Sequence, residues 1–307
     1  MKFATIALAL ATAASAVSGY KVRQIGAYNT KDYIAYLEND DGTPISPFHD
    51  VPLYPNANDD SVFNMIVEIP RGQNAKVEIQ KDQEFNPFAQ KVSKHDKLKF
   101  IANIYPWHGY PWSYGSIPQT WENPHVPNKE AGTKGGDNDP LDIIDISAES
   151  GFPGQVRQVK LLGGLLMVDD DTTDWKIVAI DVNDERASRY NDITDVEQKI
   201  RDDIQHWFKV YKVPQGDGEN EFGYDGDFQN RQTVDHLLKE SHGYWNLLIN
   251  GTIKADDIET INVSVQGSKN QVKANSEECK DVPKADAEPD AKIDSDAIPT
   301  KKAWAIL

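Results

Sequence analysis

The sequence predicts an α+β fold that is mainly β, a small barrel of strands with two main helices late in the chain. Three observations carry this expectation. The segment up to about Pro124 is cut by Pro, Gly, Asn and Asp into short runs of β-type composition; two longer apolar runs follow between residues 155 and 182; and helical periodicity appears only after residue 195.

Taken in order, the strand candidates are 63–69, 75–80 and 98–102, then 155–168 and 175–182, with Gly163-Gly164 marking a bend or bulge in the first long run. Val196, Ile200, Ile204, Trp207, Phe208 and Tyr211 recur at spacings of three and four behind Thr194 or Asp195 as an N-cap, and Pro214 stops that helix. A second pattern, Val234, Leu237, Leu238, Trp245, Leu248 and Ile249, ends at Asn250-Gly251, a C-terminal cap. From Ser276 to Thr300 the chain is rich in Asp, Glu, Lys, Ala and Pro and poor in large apolar residues, which reads as an extended or disordered tail. Met1-Lys2-Phe3, a short apolar run and Ala14-Ser15-Ala16 have the layout of a secretory signal peptide. The organisation is then signal peptide 1–16, one folded domain 17–275 and tail 276–307, for a protein expected to be secreted, or else cytoplasmic if the leader reading fails.

Lysine and arginine number 32 against 49 aspartates and glutamates, a net charge of −17, so the whole-protein field repels nucleic acid and acidic lipid surfaces. No stretch approaches the roughly 20 apolar residues that span a bilayer, so no membrane partner is expected. A small anion can still bind if carboxylates first collect divalent cations and reverse the local field. The single cysteine, Cys279, has no partner for an intramolecular disulfide. Sequons at Asn250 and Asn262 agree with export.

Chemistry concentrates in two acidic runs. Asp137-Asn138-Asp139-Pro140-Leu141-Asp142 places three carboxylates in six residues around a proline that fixes the backbone. If they converge, a hard cation such as Mg²⁺ relieves their repulsion; if they do not, the run is a solvated acidic loop. It is no EF-hand, since the sixth position from Asp137 is Asp142 rather than glycine and the twelfth is Ala148 rather than glutamate. The second run, 169–176, lies between two apolar runs, as a strand-to-strand loop should, and is equally readable as an acidic turn. In the 75–79 run the period of two puts Lys76 and Glu78 on one face, either lining a barrel mouth or forming an ordinary surface pair.

The run 137–142 matches the signature aspartate motif of the family I soluble inorganic pyrophosphatases, and the sequence resembles their fungal and animal type from about Arg23 to Gly251. Supporting stretches are Arg23-Gln24-Ile25-Gly26-Ala27, Pro47-Phe48-His49-Asp50-Val51-Pro52-Leu53-Tyr54, Asn64-Met65-Ile66-Val67-Glu68-Ile69-Pro70-Arg71, His108-Gly109-Tyr110, Pro118-Gln119-Thr120-Trp121-Glu122 and Thr173-Asp174-Trp175-Lys176. The resemblance implies a five-stranded OB-like barrel with flanking strands and helices, and hydrolysis of inorganic diphosphate to two phosphates with several Mg²⁺ ions per site, three to four in the family, Mn²⁺ being an alternative.

Carried over by position, the resemblance makes Asp137, Asp142 and Asp174 ligands of the tighter metal, with Asp142 shared with a second. Asp139 orients and deprotonates the attacking water between those metals. Asp169 and Glu78 meet the metals that arrive with substrate, and Glu68 belongs to the same lining. Lys76, Tyr114, Lys176, Tyr211 and Lys212 form the phosphate-binding set, with Tyr110 near it. Two positions depart from the family pattern. Lys99 stands where the family usually has an arginine on the attacked phosphate, and a lysine is a point charge without the bidentate fork. Gly72 stands where fungal members carry a tryptophan at the dimer interface, which weakens the expected homodimer. Two other readings accompany the diphosphatase: a secreted metal- or phosphate-binding protein without turnover, and a hydrolase of another phosphoanhydride.

Overall fold

A computed structural model of the protein describes residues 19–254 and 257–299; the signal-peptide reading of residues 1–16 lies outside the described residues. Five strands close on one another. Phe63–Ile69 pairs antiparallel with Ser113–Ser116, which pairs antiparallel with Asp142–Asp145; that strand runs parallel to Thr172–Asp181. Thr172–Asp181 then pairs antiparallel with Val156–Asp169, which returns to Phe63–Ile69 and completes the ring. Closure leaves these strands no free edge, and it is the five-stranded barrel that the resemblance implies.

The strand expected at 63–69 has those bounds, and every residue in it is buried. The run 155–168 becomes Val156–Asp169, and 175–182 becomes Thr172–Asp181. Val178 pairs with Gly163 while Ala179 pairs with Leu161, so Leu162 is the extra residue of a bulge at the expected glycines. The 75–80 run shortens to Val77–Ile79. The run 98–102 is no strand, because its backbone divides its bridges between two segments, Leu98 with Val92 and Phe100 with Ala75.

Two helices cover the barrel. The first begins later than its expected caps: Asp192 caps a 3₁₀ turn at Ile193–Asp195 in a reciprocal box with the Asp195 side chain, and the α-helix runs Gln198–Val210. Its Ile204, Trp207 and Phe208 pack with Tyr110, Tyr114 and Tyr190. Pro214 lies in the 3₁₀ turn Val213–Gln215 that follows. The second helix, Arg231–Ile249, is capped by Asn230 and ends at Asn250, with Gly251 at φ +74° as the expected terminator. Its Val234 and Leu238 seal the barrel beside Leu166 and Ile177.

A second sheet flanks the barrel, in the order Asp286–Ala287, Tyr20–Gly26, Ile34–Asn39, Phe88–Gln90, Val77–Ile79, with Pro44–Ile45 also on Ile34–Asn39. It corrects the picture of a loose tail. Glu277–Asp281 is a short helix whose Cys279 is buried with Val282 against Phe85. Asp286 and Ala287 pair in parallel with Ile25 and Gly26, Ile293 and Ile298 pack on the cluster holding Tyr28 and Tyr33, and Arg23 donates to the Val282 and Pro283 carbonyls. The segment has few apolar residues, but those named are placed against the domain and its backbone groups find partners, which offsets its ordering entropy. Of the two sequons, Asn250 is exposed, whereas Asn262 is wholly buried and donates to Thr260 O and Ser268 Oγ.

Candidate active site

One end of the barrel opens into a cleft of about 880 Å³. Its inner wall follows from strand register. Parallel pairing sets Lys176 opposite Asp142, and the period of two along Thr172–Asp181 puts Asp174 on the same face as Lys176. The Lys176 ammonium accordingly sits 2.5 Å from Asp142 Oδ2, 2.6 and 2.7 Å from the two Asp174 oxygens, and 3.3 Å from Tyr114 Oη. All this happens at a lysine only 2% exposed.

The loop that carries the aspartate motif is laid over Glu122. Asn138 N donates to Glu122 O at 3.0 Å and Glu122 N to Asp139 O at 2.9 Å. The approach is so close that a Cβ on Gly136 would come within 2.4 Å of the Glu122 carbonyl carbon, so only glycine fits there. Asn138 takes φ +69°, which asparagine tolerates, and its Oδ1 accepts from Trp121 Nε1 at 2.9 Å. Asp139 N donates to Asp137 Oδ1 at 3.0 Å, tightening the turn. Asp137 and Asp174 are thereby brought to Glu122, one carboxylate oxygen from each lying within 4.8 Å of the others.

This grouping is strongly unfavourable for anions alone. Burial pushes Asp174 up to about 7 despite the Lys176 ammonium beside it. Burial raises Asp137 and Glu122 well above the usual carboxylate range, and repulsion from the neighbouring aspartates adds to it. Glu122 Oε1 accepts from Trp175 N at 3.2 Å, but its buried Oε2 has no hydrogen-bond partner. Hard oxygen donors in excess of local positive charge, one of them unsatisfied, fit a divalent cation such as Mg²⁺. Glu68, also buried, is raised by burial first and then by Asp142 and Glu78.

The mouth is lysine-rich. Lys76, Lys91 and Lys99 are threaded side by side by backbone bonds, Lys76 N to Lys99 O, Lys91 N to Lys76 O and Lys99 N to Lys91 O. Glu78 answers two of them, 2.7 Å from Lys91 and 3.6 Å from Lys76. Burial and then the neighbouring Lys76 and Lys91 lower the Lys99 ammonium. Burial works against the Lys76 ammonium too, but Glu78, Tyr110 and Asp142 outweigh it and its pKa is raised. Lys212, at the end of the first helix, pairs with Asp169 and lies 5.7 Å from the ring centroid of Tyr211, which stacks on Trp207. Burial raises the Tyr110, Tyr114 and Tyr211 hydroxyls, so all three keep their protons and can donate hydrogen bonds at neutral pH.

Nearly all the residues named from the sequence therefore share this cleft: Glu68, Lys76, Glu78, Tyr110, Tyr114, Asp137, Asp139, Asp142, Asp169, Asp174, Lys176 and Tyr211 line it, and Lys212 reaches it through Asp169. Lys99 stands beside it, next to Lys76. Glu122 joins Asp137 and Asp174 in the tightest group of carboxylates, while Asp142, in the same lining, faces Lys176 because of the parallel register. Glu122, Lys81 and Lys91 had no role in the sequence reading. Gly135-Gly136 ahead of Asp137 was the available signal for Glu122, since paired glycines announce a close backbone approach.

Comparison with known proteins gives one consistent family. Residues 65–246 match the family model for inorganic pyrophosphatase. The chain is 47% identical over 250 residues to the inorganic pyrophosphatase of Yarrowia lipolytica, covering 80% of this chain and 85% of that protein. It is 46% identical over 256 residues to that of Schizosaccharomyces pombe, covering 82% and 87%. Among solved structures, the inorganic pyrophosphatase of Schistosoma japonicum superposes with a TM-score of 0.83 at 35% identity, covering 90% of this chain and 98% of that one. A truncated vacuolar soluble pyrophosphatase of Trypanosoma cruzi, solved in complex with PPi, gives 0.68 at 34% identity, covering 80% and 97%.

Proposed function

This chain belongs to the family I inorganic pyrophosphatases and hydrolyses inorganic diphosphate, and from that premise we propose how its own residues divide the work. The observation that carries the proposal is the convergence of Glu122, Asp137, Asp142, Asp174, Lys176 and Tyr114 at one end of a closed barrel. Asp137, Asp142 and Asp174 hold the tighter Mg²⁺, Asp142 shares in a second, and Asp169 and Glu78 meet the ions that enter with diphosphate, in the lining that also contains Glu68. When bound, these ions neutralise the substrate and acidify water, toward a pKa of ~7 in favourable sites.

Asp139 lines the cleft with its side chain half exposed, and in this reading it orients the attacking water and takes its proton. The bond from water oxygen to phosphorus forms as the bridging P–O bond breaks, and the second phosphate leaves. Lys76, Lys176 and Lys212, with the hydroxyls of Tyr114 and Tyr211, donate to the oxygens on which charge grows; Tyr110 packs 5.1 Å from Tyr114, centroid to centroid. Lys99 contributes a charge without a fork. No covalent bond to the protein is needed. Replacing Asp139→Asn is expected to cut Mg²⁺-dependent phosphate release about 10²–10⁴-fold; a variant that keeps full turnover refutes the assignment.

Two further proposals rest on the sequence. The layout of 1–16 supports export, which N-terminal sequencing of the mature protein tests by a start after Ala16. Gly72 adopts φ +82° in a turn where its N donates to Tyr110 O, so this chain offers no aromatic anchor there, and its dimer is weaker than a tryptophan-bearing relative's, as light scattering across a dilution series would reveal.

A further inference from the structure

Lys81 stands at the rim of the same cleft and takes no part in the scheme above. Its Nζ lies 2.7 Å from Asp139 Oδ1 and donates to the Asn138 carbonyl at 2.9 Å, two acceptors on consecutive residues of the aspartate turn. Its backbone is held from behind. The Lys81 carbonyl accepts from Glu259 N at 2.7 Å and from Asn86 Nδ2 at 3.0 Å. Asn86 is wholly buried and also bonds Glu259 O at 3.0 Å, as does the buried His49 through Nε2 at the same distance.

An exposed lysine–aspartate pair is ordinarily worth little, because both long side chains must be immobilised for one screened contact. Here the lysine is anchored at its backbone and fastened at its tip to two atoms of one turn, and its side chain is only 26% exposed. We propose that Lys81 is a positioning residue for Asp139. By occupying Oδ1 it fixes the carboxylate rotamer and leaves the other oxygen directed at the water to be deprotonated. This rests on the reading of Asp139 given above, through which alone Lys81 acts. A lysine that instead bound the substrate would be felt in the affinity for diphosphate, and a merely structural one in the stability of the fold.

The test uses the full chain with Lys81→Met, which keeps the length of the side chain, and Lys81→Arg, which keeps the charge. At saturating Mg²⁺, Lys81→Met is expected to lower kcat about tenfold, the loss typical when a supporting hydrogen bond to a site residue is removed, with KM for diphosphate within about twofold and the melting temperature unchanged. Lys81→Arg restores most of kcat. In an Asp139→Asn background Lys81→Met adds no further loss, since the two act as one unit. Independently of turnover, a crystal structure of the Lys81→Met protein is expected to place the Asp139 carboxylate in a different or a divided rotamer. A rise in KM at constant kcat, a full loss in the Asp139→Asn background, or an unmoved carboxylate each overturns the proposal. Failure of the Asp139 reading shows up separately, as undiminished turnover by Asp139→Asn alone.

Discussion

At the inner wall of the cleft Glu122, Asp137 and Asp174 gather with Lys176 as the ammonium among them, whereas at the mouth Lys76, Lys91 and Lys99 stand on adjoining backbone segments with Glu78 as the shared carboxylate. The two regions are out of balance in opposite directions. An excess of buried negative charge is relieved by a cation and an excess of positive charge by an anion, so the polyanion is drawn to a place between the two. A net charge of −17 on the whole chain is no obstacle to binding diphosphate, because the local balance and not the total decides.

The sharpest way to break this contrast is at the inner wall. Glu122→Gln keeps an acceptor for Trp175 N but removes a charge, and it is expected to weaken Mg²⁺ binding about 10- to 100-fold by calorimetry. Unchanged affinity would mean that Glu122 is a bystander and that the wall is smaller than drawn here. A second effect appears without any metal. Asp174 titrates near 7 in the fold against about 3.9 when unfolded, so between those values the folded state holds a proton that the unfolded state has released, and stability falls as pH rises. Asp137, Glu122 and Glu68 are raised in the same direction and act with the same sign. His49 opposes this on the acid side: burial lowers it to about 4, below its unfolded value, so it favours the fold increasingly as pH rises toward 6.5 and no further. Above 6.5 the acids act alone. The melting temperature in chelator is therefore expected to drop as pH rises from 6.5 through about 7, by roughly 3 °C per pH unit for an acid held protonated, and saturating Mg²⁺ should abolish the drop. A flat profile in chelator would remove the charge imbalance from the account. The smallest effect belongs to the mouth, where Lys99→Arg supplies the missing fork and should raise kcat about threefold; no gain would mean that the point charge already suffices.

What the sequence made legible follows from range. The strand at 63–69 and the helix ending at Asn250-Gly251 are written in local periodicity and capping, and both were readable to within a few residues. The aspartate motif announced itself by density and by its resemblance to a family. Glu122 did not, because it is a lone acid between Trp121 and Asn123 whose importance comes from a loop 15 residues on that folds over it. Lys81 is one lysine in a lysine-bearing surface until its contact with Asp139 is seen. The segment after Ser276 misled for a related reason: composition counts apolar residues but does not know that Cys279, Val282, Ile293 and Ile298 each meet a prepared neighbour.

That last segment has a bearing on self-association. Tyr20–Gly26 borders its sheet, with Ile34–Asn39 on one side and only the stretch around Asp286–Ala287, the Glu288 N to Gly26 O bond and the Arg23 clasp on the other. Proteolytic clipping near residue 276 would uncover the strand edge at Ile25 and Gly26, which Asp286 and Ala287 now pair, and lengthen the edge open to strand-to-strand joining between molecules. The C-terminal arm thus closes that corner of the sheet, and a preparation that loses it is expected to self-associate more readily.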